Sequence, residues 1–329
     1  MKSLPKVELH LHLEGAAPPA LIRDLAGQKR MDIAGIFDAG GAYTYKDFND
    51  FLRVYDAVTN VLNTPADYAR LLTEVLHKSA EDGVVYTEVF IAPAFCGGGD
   101  LHAWRDYLAA MQETAAWVEK TAGITSRAVA TVLRHLGPDN ARATARCAQE
   151  TAGGWLTGFG MAGMETFGKP ADFRWSFDAA REAGLGLTCH AGEWGGPDSV
   201  RQAWRDLGVS RIGHGVRAIE DPALVRDLAE AGVTLECCPG SNIALGIYPN
   251  WTSHPVARLA DAGCRVTIST DDPPFFHTDL PREYDHLADA FGWTEAEFSA
   301  MNGFAIDAAF CDRPTKDRVG KLIRNEETP

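Results

Sequence analysis

The chain has 329 residues, 46% hydrophobic and 23% charged, the balance of a core-forming globular protein rather than a disordered, collagen-like or disulfide-stapled one. Lys and Arg total 31 against 45 Asp and Glu, and the formal net charge of −14 argues against nucleic-acid phosphates and anionic membranes as partners. The seven cysteines include no CxxC pair, no apolar run reaches the roughly 18 residues of a membrane span, and no secretory signal is seen, so reduced thiols in a cytoplasmic protein are expected.

A first strand is expected at Val7–Leu13. The interval from Glu14 to Val84 is too long for one crossover and holds three helical patterns, Pro19–Leu25, Tyr45–Leu62 and Pro65–Ala80. Phe48, Phe51 and Tyr55 share one face of the second pattern, as a gate over a ligand or as plain helix packing. Further strands are expected at Val84–Ile91, Ser126–Leu133, Leu156–Met161, Leu187–His190, Arg211–His214, Val233–Cys237 and Arg265–Thr270. Four of them follow one phrase, a helical segment ending in an acidic residue, one more residue and Gly: Glu81-Asp82-Gly83, Glu182-Ala183-Gly184, Glu230-Ala231-Gly232 and Asp261-Ala262-Gly263. Glycine there supplies the left-handed turn that ends a helix. Asp221-Pro222 reads as an N-cap with proline at the first helical position, and Asp198 as another helix start.

The strands read as short, continuous and apolar, the mark of strands buried on both faces, and their alternation with helices implies a parallel sheet. Eight of them suggest a (β/α)8 TIM barrel, with a doubly wound open sheet as the alternative. In a barrel the long insertion follows strand 1 at the C-terminal face, where it covers the mouth. Residues 1–329 read as a single domain, with only the tail Arg324–Pro329 frayed, and nothing specifies an oligomeric state.

Polar residues gather at strand ends. Strand 1 carries His10-Leu11-His12, whose two imidazoles face one side, followed by Glu14. Strand 5 ends in His190-Ala191-Gly192-Glu193, strand 6 in Gly213-His214-Gly215, and strand 8 in Thr270-Asp271-Asp272-Pro273. Barrel enzymes place their chemistry at the C-terminal ends of strands. Histidine nitrogens with one carboxylate are normal zinc ligands, and a catalytic zinc brings water towards neutral pKa. Glu193 is available as an acid and His214 to orient or deprotonate water. The residues alone therefore point to metal-dependent hydrolysis.

Together with Arg211-Ile212-Gly213-His214-Gly215 and Ser241-Asn242, these segments resemble the adenosine deaminase family of the amidohydrolase superfamily, in the family's order and across most of the chain. The resemblance implies one Zn2+ per chain held by His10, His12, His190 and Asp271. It implies that Glu193 protonates purine N1 as hydroxide adds to C6, that His214 orients and deprotonates the water, and that Asp272 hydrogen-bonds N7. Gly163, in Met161-Ala162-Gly163-Met164-Glu165, matches the glycine whose N–H meets purine N3. His12, Glu14, Gly163, Asp272, Phe51 and Tyr55 are the expected substrate contacts, Arg134-His135 a neighbouring pair, and Trp194 has no assigned contact.

Gly158–Gly163 also spells GxGxxG, but no helix opening follows it, which disfavours a dinucleotide site. Leu156–Glu165 has no lysine to bridge two metals, Cys237 and Cys238 read as barrel core, and the H-x-E and PCxxC pattern of nucleic-acid deaminases is absent. Ala162-Gly163 and Arg211–His214 look like the nucleoside branch, whereas Glu14 replaces its usual Asp and Phe90 its frequent Arg. The expected substrates are a small aminopurine nucleoside, adenosine and 2′-deoxyadenosine, with adenine or a modified adenine nucleoside as alternatives.

Overall fold

A computed structural model describes residue 1 and residues 4–325. Eight parallel strands lie in sequential order: β1 (Lys6–His12), β2 (Val84–Ile91), β3 (Thr125–Leu133), β4 (Leu156–Ala162), β5 (Gly186–Ala191), β6 (Arg211–His214), β7 (Thr234–Cys237) and β8 (Arg265–Ile268). The sheet closes on itself through a parallel bridge between Leu11 and Asp271, in which Asp271 N–H donates to His10 O at 3.1 Å and His12 N–H to Asp271 O at 3.0 Å. This closure makes the sheet a (β/α)8 barrel and removes the open doubly wound alternative. Gly83, Gly184, Gly232 and Gly263 have φ of +83°, +79°, +67° and +88°, the left-handed turns expected before β2, β5, β7 and β8.

Between β1 and β2 lie α1 (Pro19–Lys29), α2 (Phe48–Val61) and α3 (Pro65–Glu81). Helix α2 starts three residues later than its apolar pattern because Asp47 is the N-cap, accepting from Asp50 N–H. Thr64 and Asp67 form a reciprocal capping box at the start of α3. The later helices are α4 (Leu101–Ala122), α5 (Gly137–Glu150), α6 (Arg174–Glu182), α7 (Pro197–Leu207), α8 (Pro222–Ala231), α9 (Pro239–Ala244), α10 (Val256–Asp261), α11 (Leu280–Phe291), α12 (Glu295–Ala308) and α13 (Arg313–Ile323). Asp221 caps α8 as expected, by accepting from Ala223 and Leu224 N–H. At α7 the cap is Gly196, and Asp198 lies inside the first turn because Pro197 already occupies the first helical position. Residues 326–329 of the tail expected to fray lie outside the described residues.

One expectation fails in an instructive way. Strand β1 is not uniformly apolar: Lys6, Glu8 and His10 alternate with Val7, Leu9 and Leu11, and all six are buried. Val7 and Leu9 pack outward against Ala305, Ile306 and Val319 of α12 and α13. The alternate face of β1 meets a network of buried ionic groups instead. No helix among the described residues is long and apolar enough to cross a membrane.

Candidate active site

The C-terminal ends of the strands bring four donor atoms together. His190 Nε2 lies 3.0 Å from His10 Nε2 and 3.2 Å from His12 Nε2, and Asp271 Oδ1 lies 3.4 Å and 3.2 Å from the same two nitrogens. Donors roughly 2.0–2.2 Å from one tetrahedral ion stand about 3.3 Å apart. Imidazole lone pairs crowded at that separation repel each other unless a cation or a proton lies between them. The cluster can therefore hold a metal ion: His10, His190, His214 and Asp271 form one group of suitably close donors, and His12, Asp271 and Asp272 a second that shares Asp271. Burial alone would raise the Asp271 pKa, but hydrogen bonds with His10 and His12 hold its carboxyl well below the usual range, so it is an anion.

Local backbone geometry aims these groups. His214 and Asp271, each just at a strand end, are in the left-handed region with φ of 60° and 65°. Such strain persists where the surroundings over-determine it, and it turns both side chains into the mouth. The Ser241 hydroxyl donates to Asp271 Oδ2 at 2.7 Å, and buried Glu8 anchors the preceding Thr270 through its N–H and hydroxyl. Two glycines make room. A Cβ on Gly213 would stand 2.8 Å from His10 Cε1, and one on Gly15 would stand 1.5 Å from Asp272 Oδ1.

Around the donors lies a layer that fixes which ring nitrogen is free. His10 Nδ1 donates to Glu236 Oε2 at 2.8 Å, which leaves the Nε2 lone pair facing His190 and Asp271. Glu236 also accepts from Thr188 Oγ1 at 3.0 Å and from Arg211 Nε at 2.5 Å, and Arg211 pairs with Glu88 at 2.7 Å; Arg211, Glu88 and Glu236 are all fully buried. The Arg211 guanidinium rests on the Phe310 ring, 3.6 Å from its centroid. A second chain leads to His214. Val256 N–H donates to His254 Nδ1 at 3.2 Å, so His254 Nε2 carries hydrogen and donates to Asn242 Oδ1 at 3.1 Å. The Asn242 amide nitrogen is then the donor to His214 Nδ1 at 3.3 Å. The neutral His214 ring so held keeps its proton on Nε2, which is buried without a protein partner, 3.8 Å from Glu193 Oε2.

These groups open onto a cavity of about 190 Å³. His12, Gly163, Glu193, His214, Asp271 and Asp272 line it, and α2 contributes Phe48, Phe51 and Tyr55 to its wall. Glu14 is not among the lining residues: its Oε1 accepts from Tyr68 Oη at 3.1 Å and from Ala92 N–H at 3.3 Å. Phe90 is also turned away from the cavity, edge-on to the His10 and His12 rings. Trp194 packs on Phe48, with ring centroids 5.1 Å apart. His135 reaches the cavity, while Arg134 turns aside to the Phe167 and Gly168 carbonyls. Cys237 and Cys238 are wholly buried outside the donor set.

Burial pushes the Glu193 carboxyl well above its usual range, and the Asp271 and Glu165 charges add to the effect. Burial does the same to Asp272, reinforced by Asp271 and Glu193. Burial thus favours the neutral form of both carboxyls beside an anionic Asp271. Sequence reasoning missed Glu236, Glu88, His254 and Glu165. The first two were visible as carboxylates inside strands read as apolar, but only the closed barrel shows what they face.

A profile of the adenosine deaminase family matches residues 5–326. A protein called adenine deaminase from Rhizobium leguminosarum bv. trifolii is 48% identical over 95% of this chain and 97% of its own length. One of the same name from Agrobacterium fabrum is 47% identical over 96% and 97%. Among solved structures, adenine deaminase from Arthrobacter aurescens superposes with a TM-score of 0.89 at 26% identity, covering 98% of both chains. An amidohydrolase from Burkholderia ambifaria with bound Zn superposes with a TM-score of 0.87 at 27% identity, covering 99% of this chain and 91% of that one. These relatives do not support adenosine as the substrate. With the histidine and aspartate ends of β1, β5, β6 and β8 in place and the match running along the whole barrel, the chain belongs to the adenosine deaminase family and is a hydrolytic deaminase.

Proposed function

We propose that this protein converts adenine to hypoxanthine and ammonia with one zinc ion per chain. The observation that carries the reading is the tight His10, His12, His190 and Asp271 set beside the buried Glu193 carboxyl in a small cavity. A cavity of about 190 Å³ falls below the ~300–1,000 Å³ usual for small-molecule sites, which favours a free base over a nucleoside. Glu14, an expected substrate contact where the nucleoside branch has Asp, is already engaged by Tyr68 and Ala92. The names of the relatives at 47–48% identity agree with this choice. Of the features that favoured nucleosides, Ala162 and Gly163 line the cavity, but Arg211 serves the barrel interior instead. The free state of all seven cysteines agrees with a cytoplasmic setting.

A divalent ion held by His10, His12, His190 and Asp271 would supply Lewis acidity and bring the pKa of water towards neutral. Glu193 hands its carboxyl proton to ring nitrogen N1 as C6 is attacked, a role suited to a carboxyl whose neutral form burial favours; the C6–N6 bond then breaks, and the amine leaves as ammonia with the proton of the new C6 hydroxyl. His214, held with hydrogen on Nε2 by Asn242, would orient the attacking water by donating to it; its expected role as proton acceptor requires the other ring tautomer. Protonated Asp272 donates to N7, and Gly163 lets the ring edge approach the backbone. Phe48, Phe51 and Tyr55 keep bulk water from the ring.

The test is ammonia release from adenine, adenosine, 2′-deoxyadenosine and an N6-methylated adenine nucleoside by zinc-loaded protein. Adenine should exceed every nucleoside by at least 100-fold in kcat/KM. Faster turnover of either nucleoside class overturns the choice of adenine.

A further inference from the structure

Glu165 lies two residues beyond Gly163, in the segment after β4, and is 4% exposed. Its carboxylate accepts five hydrogen bonds from the segment that follows β5. Oε1 takes the Gly192 N–H at 2.6 Å and the Ser199 hydroxyl at 2.5 Å. Oε2 takes the N–H groups of Glu193 at 3.1 Å, Trp194 at 2.7 Å and Gly195 at 2.9 Å. Four consecutive backbone donors thus converge on one side chain, and α7 begins immediately after them at Pro197. Burial would raise the Glu165 pKa, but Ser199 and the Gly195, Gly192 and Trp194 N–H groups outweigh it and hold the carboxyl below its usual value. The group is an anion seated in a nest of donors.

We infer that Glu165 is a positioning residue for deamination: it ties the loop that carries Gly163 to the loop that carries Glu193 and so sets where the Glu193 carboxyl stands over the substrate ring. The physical case is one of accounting for donors. Without Glu165, four buried or half-buried N–H groups lose their acceptor, and the segment must open to water to satisfy them. Glu193 is in the middle of that segment, so its side chain moves with it. Displacement of about 1 Å in a reacting group costs on the order of 100-fold in rate. The inference rests on the deaminase reading but not on which aminopurine is turned over.

The experiment uses zinc-loaded full-length protein and its Glu165→Gln and Ser199→Ala variants. A glutamine keeps the shape but presents an NH2 to N–H donors. Glu165→Gln should retain one zinc per chain, lower kcat at least tenfold and leave KM within threefold. Ser199→Ala, which removes one donor only, should lower kcat two- to fivefold and guards against a Glu165 variant that fails to fold. Amide exchange in the 192–195 segment should accelerate at least tenfold in Glu165→Gln. In a Glu193→Gln background the same change should cost less than twofold, because the group it positions is already disabled. An equal loss in both backgrounds, a loss of zinc that accounts for the loss of rate, or unchanged exchange at 192–195 overturns the inference. Should wild-type protein turn over no aminopurine, the deaminase reading fails, and the exchange rates alone still decide whether Glu165 holds the segment.

Discussion

Replacing Glu236 by glutamine should weaken zinc binding although Glu236 touches no metal. The carboxylate receives His10 Nδ1 at 2.8 Å, Thr188 Oγ1 at 3.0 Å and Arg211 Nε at 2.5 Å, all without access to water. Glutamine has one carbonyl oxygen, which the Arg211 guanidinium claims, since the charged donor gains most from it. The amide NH2 then faces His10 and can only donate. His10 must accept at Nδ1 and carry its proton on Nε2, the nitrogen that stands 3.0 Å from His190 Nε2. That removes one donor lone pair from the metal set. Loss of such an outer partner costs roughly 10- to 100-fold in metal affinity, or about 1.4–2.7 kcal/mol. Arg211 keeps Glu88, but a buried pair that loses a partner also costs the fold about 3–5 kcal/mol, so affinity must be read on protein shown to be folded. Zinc competition against a chelator of known affinity, with near-ultraviolet circular dichroism as the check on folding, gives the number. A Glu236→Gln variant that is folded and binds zinc as tightly as wild type would refute the tautomer argument.

Glu193→Gln should keep its zinc and lose about 10²- to 10⁴-fold in kcat, the usual worth of a general acid, as followed by ammonia release and metal analysis. Gly15→Ala should retain zinc yet drop kcat by on the order of 100-fold, because the new methyl stands 1.5 Å from Asp272 Oδ1 and drives that carboxyl from its place; unchanged kcat would show that Asp272 has room to spare. Glu283→Gln should stabilise the protein, and more so at higher pH. Burial raises the Glu283 pKa to about 8, so the stability linked to its proton is whole below the ordinary value of 4.5 and is lost as pH rises through 8. Glutamine cannot ionise, and it can still accept from Gly240 N–H while donating to Thr278 Oγ1. Between pH 6 and pH 9 the gain over wild type should grow by about 3 kcal/mol, a few degrees in Tm. A gain that shrinks with pH contradicts the sign.

The sequence by itself determined the barrel and the strand ends at which its histidines and aspartates gather. The strands repeat with a glycine stop before four of them, and each expected strand lies within two residues of the observed one. His10 and His12 share a strand face by the period of two, and His190, His214 and Asp271 stand at strand ends, where a parallel barrel has its mouth. These are local facts, legible from spacing. What faces what across the barrel is not local. Glu88, Glu236 and Arg211 come from three strands and meet only because the sheet closes, so Arg211 looked like a mark of substrate preference until its partners were seen. Glu14 sits on the substrate side by spacing, yet α3 brings Tyr68 to its carboxylate and takes it out of the cavity. Glu165 gains its role from a loop 27 residues further along the chain. Burial acts on both carboxyls at 271 and 272, yet histidine donors hold the first well below its ordinary range while burial and that neighbour's charge push the second well above it. Pattern places residues on faces, but ionisation, ring tautomers and the contents of a cavity follow from distances between segments far apart in the chain, and those exist only once the barrel has closed.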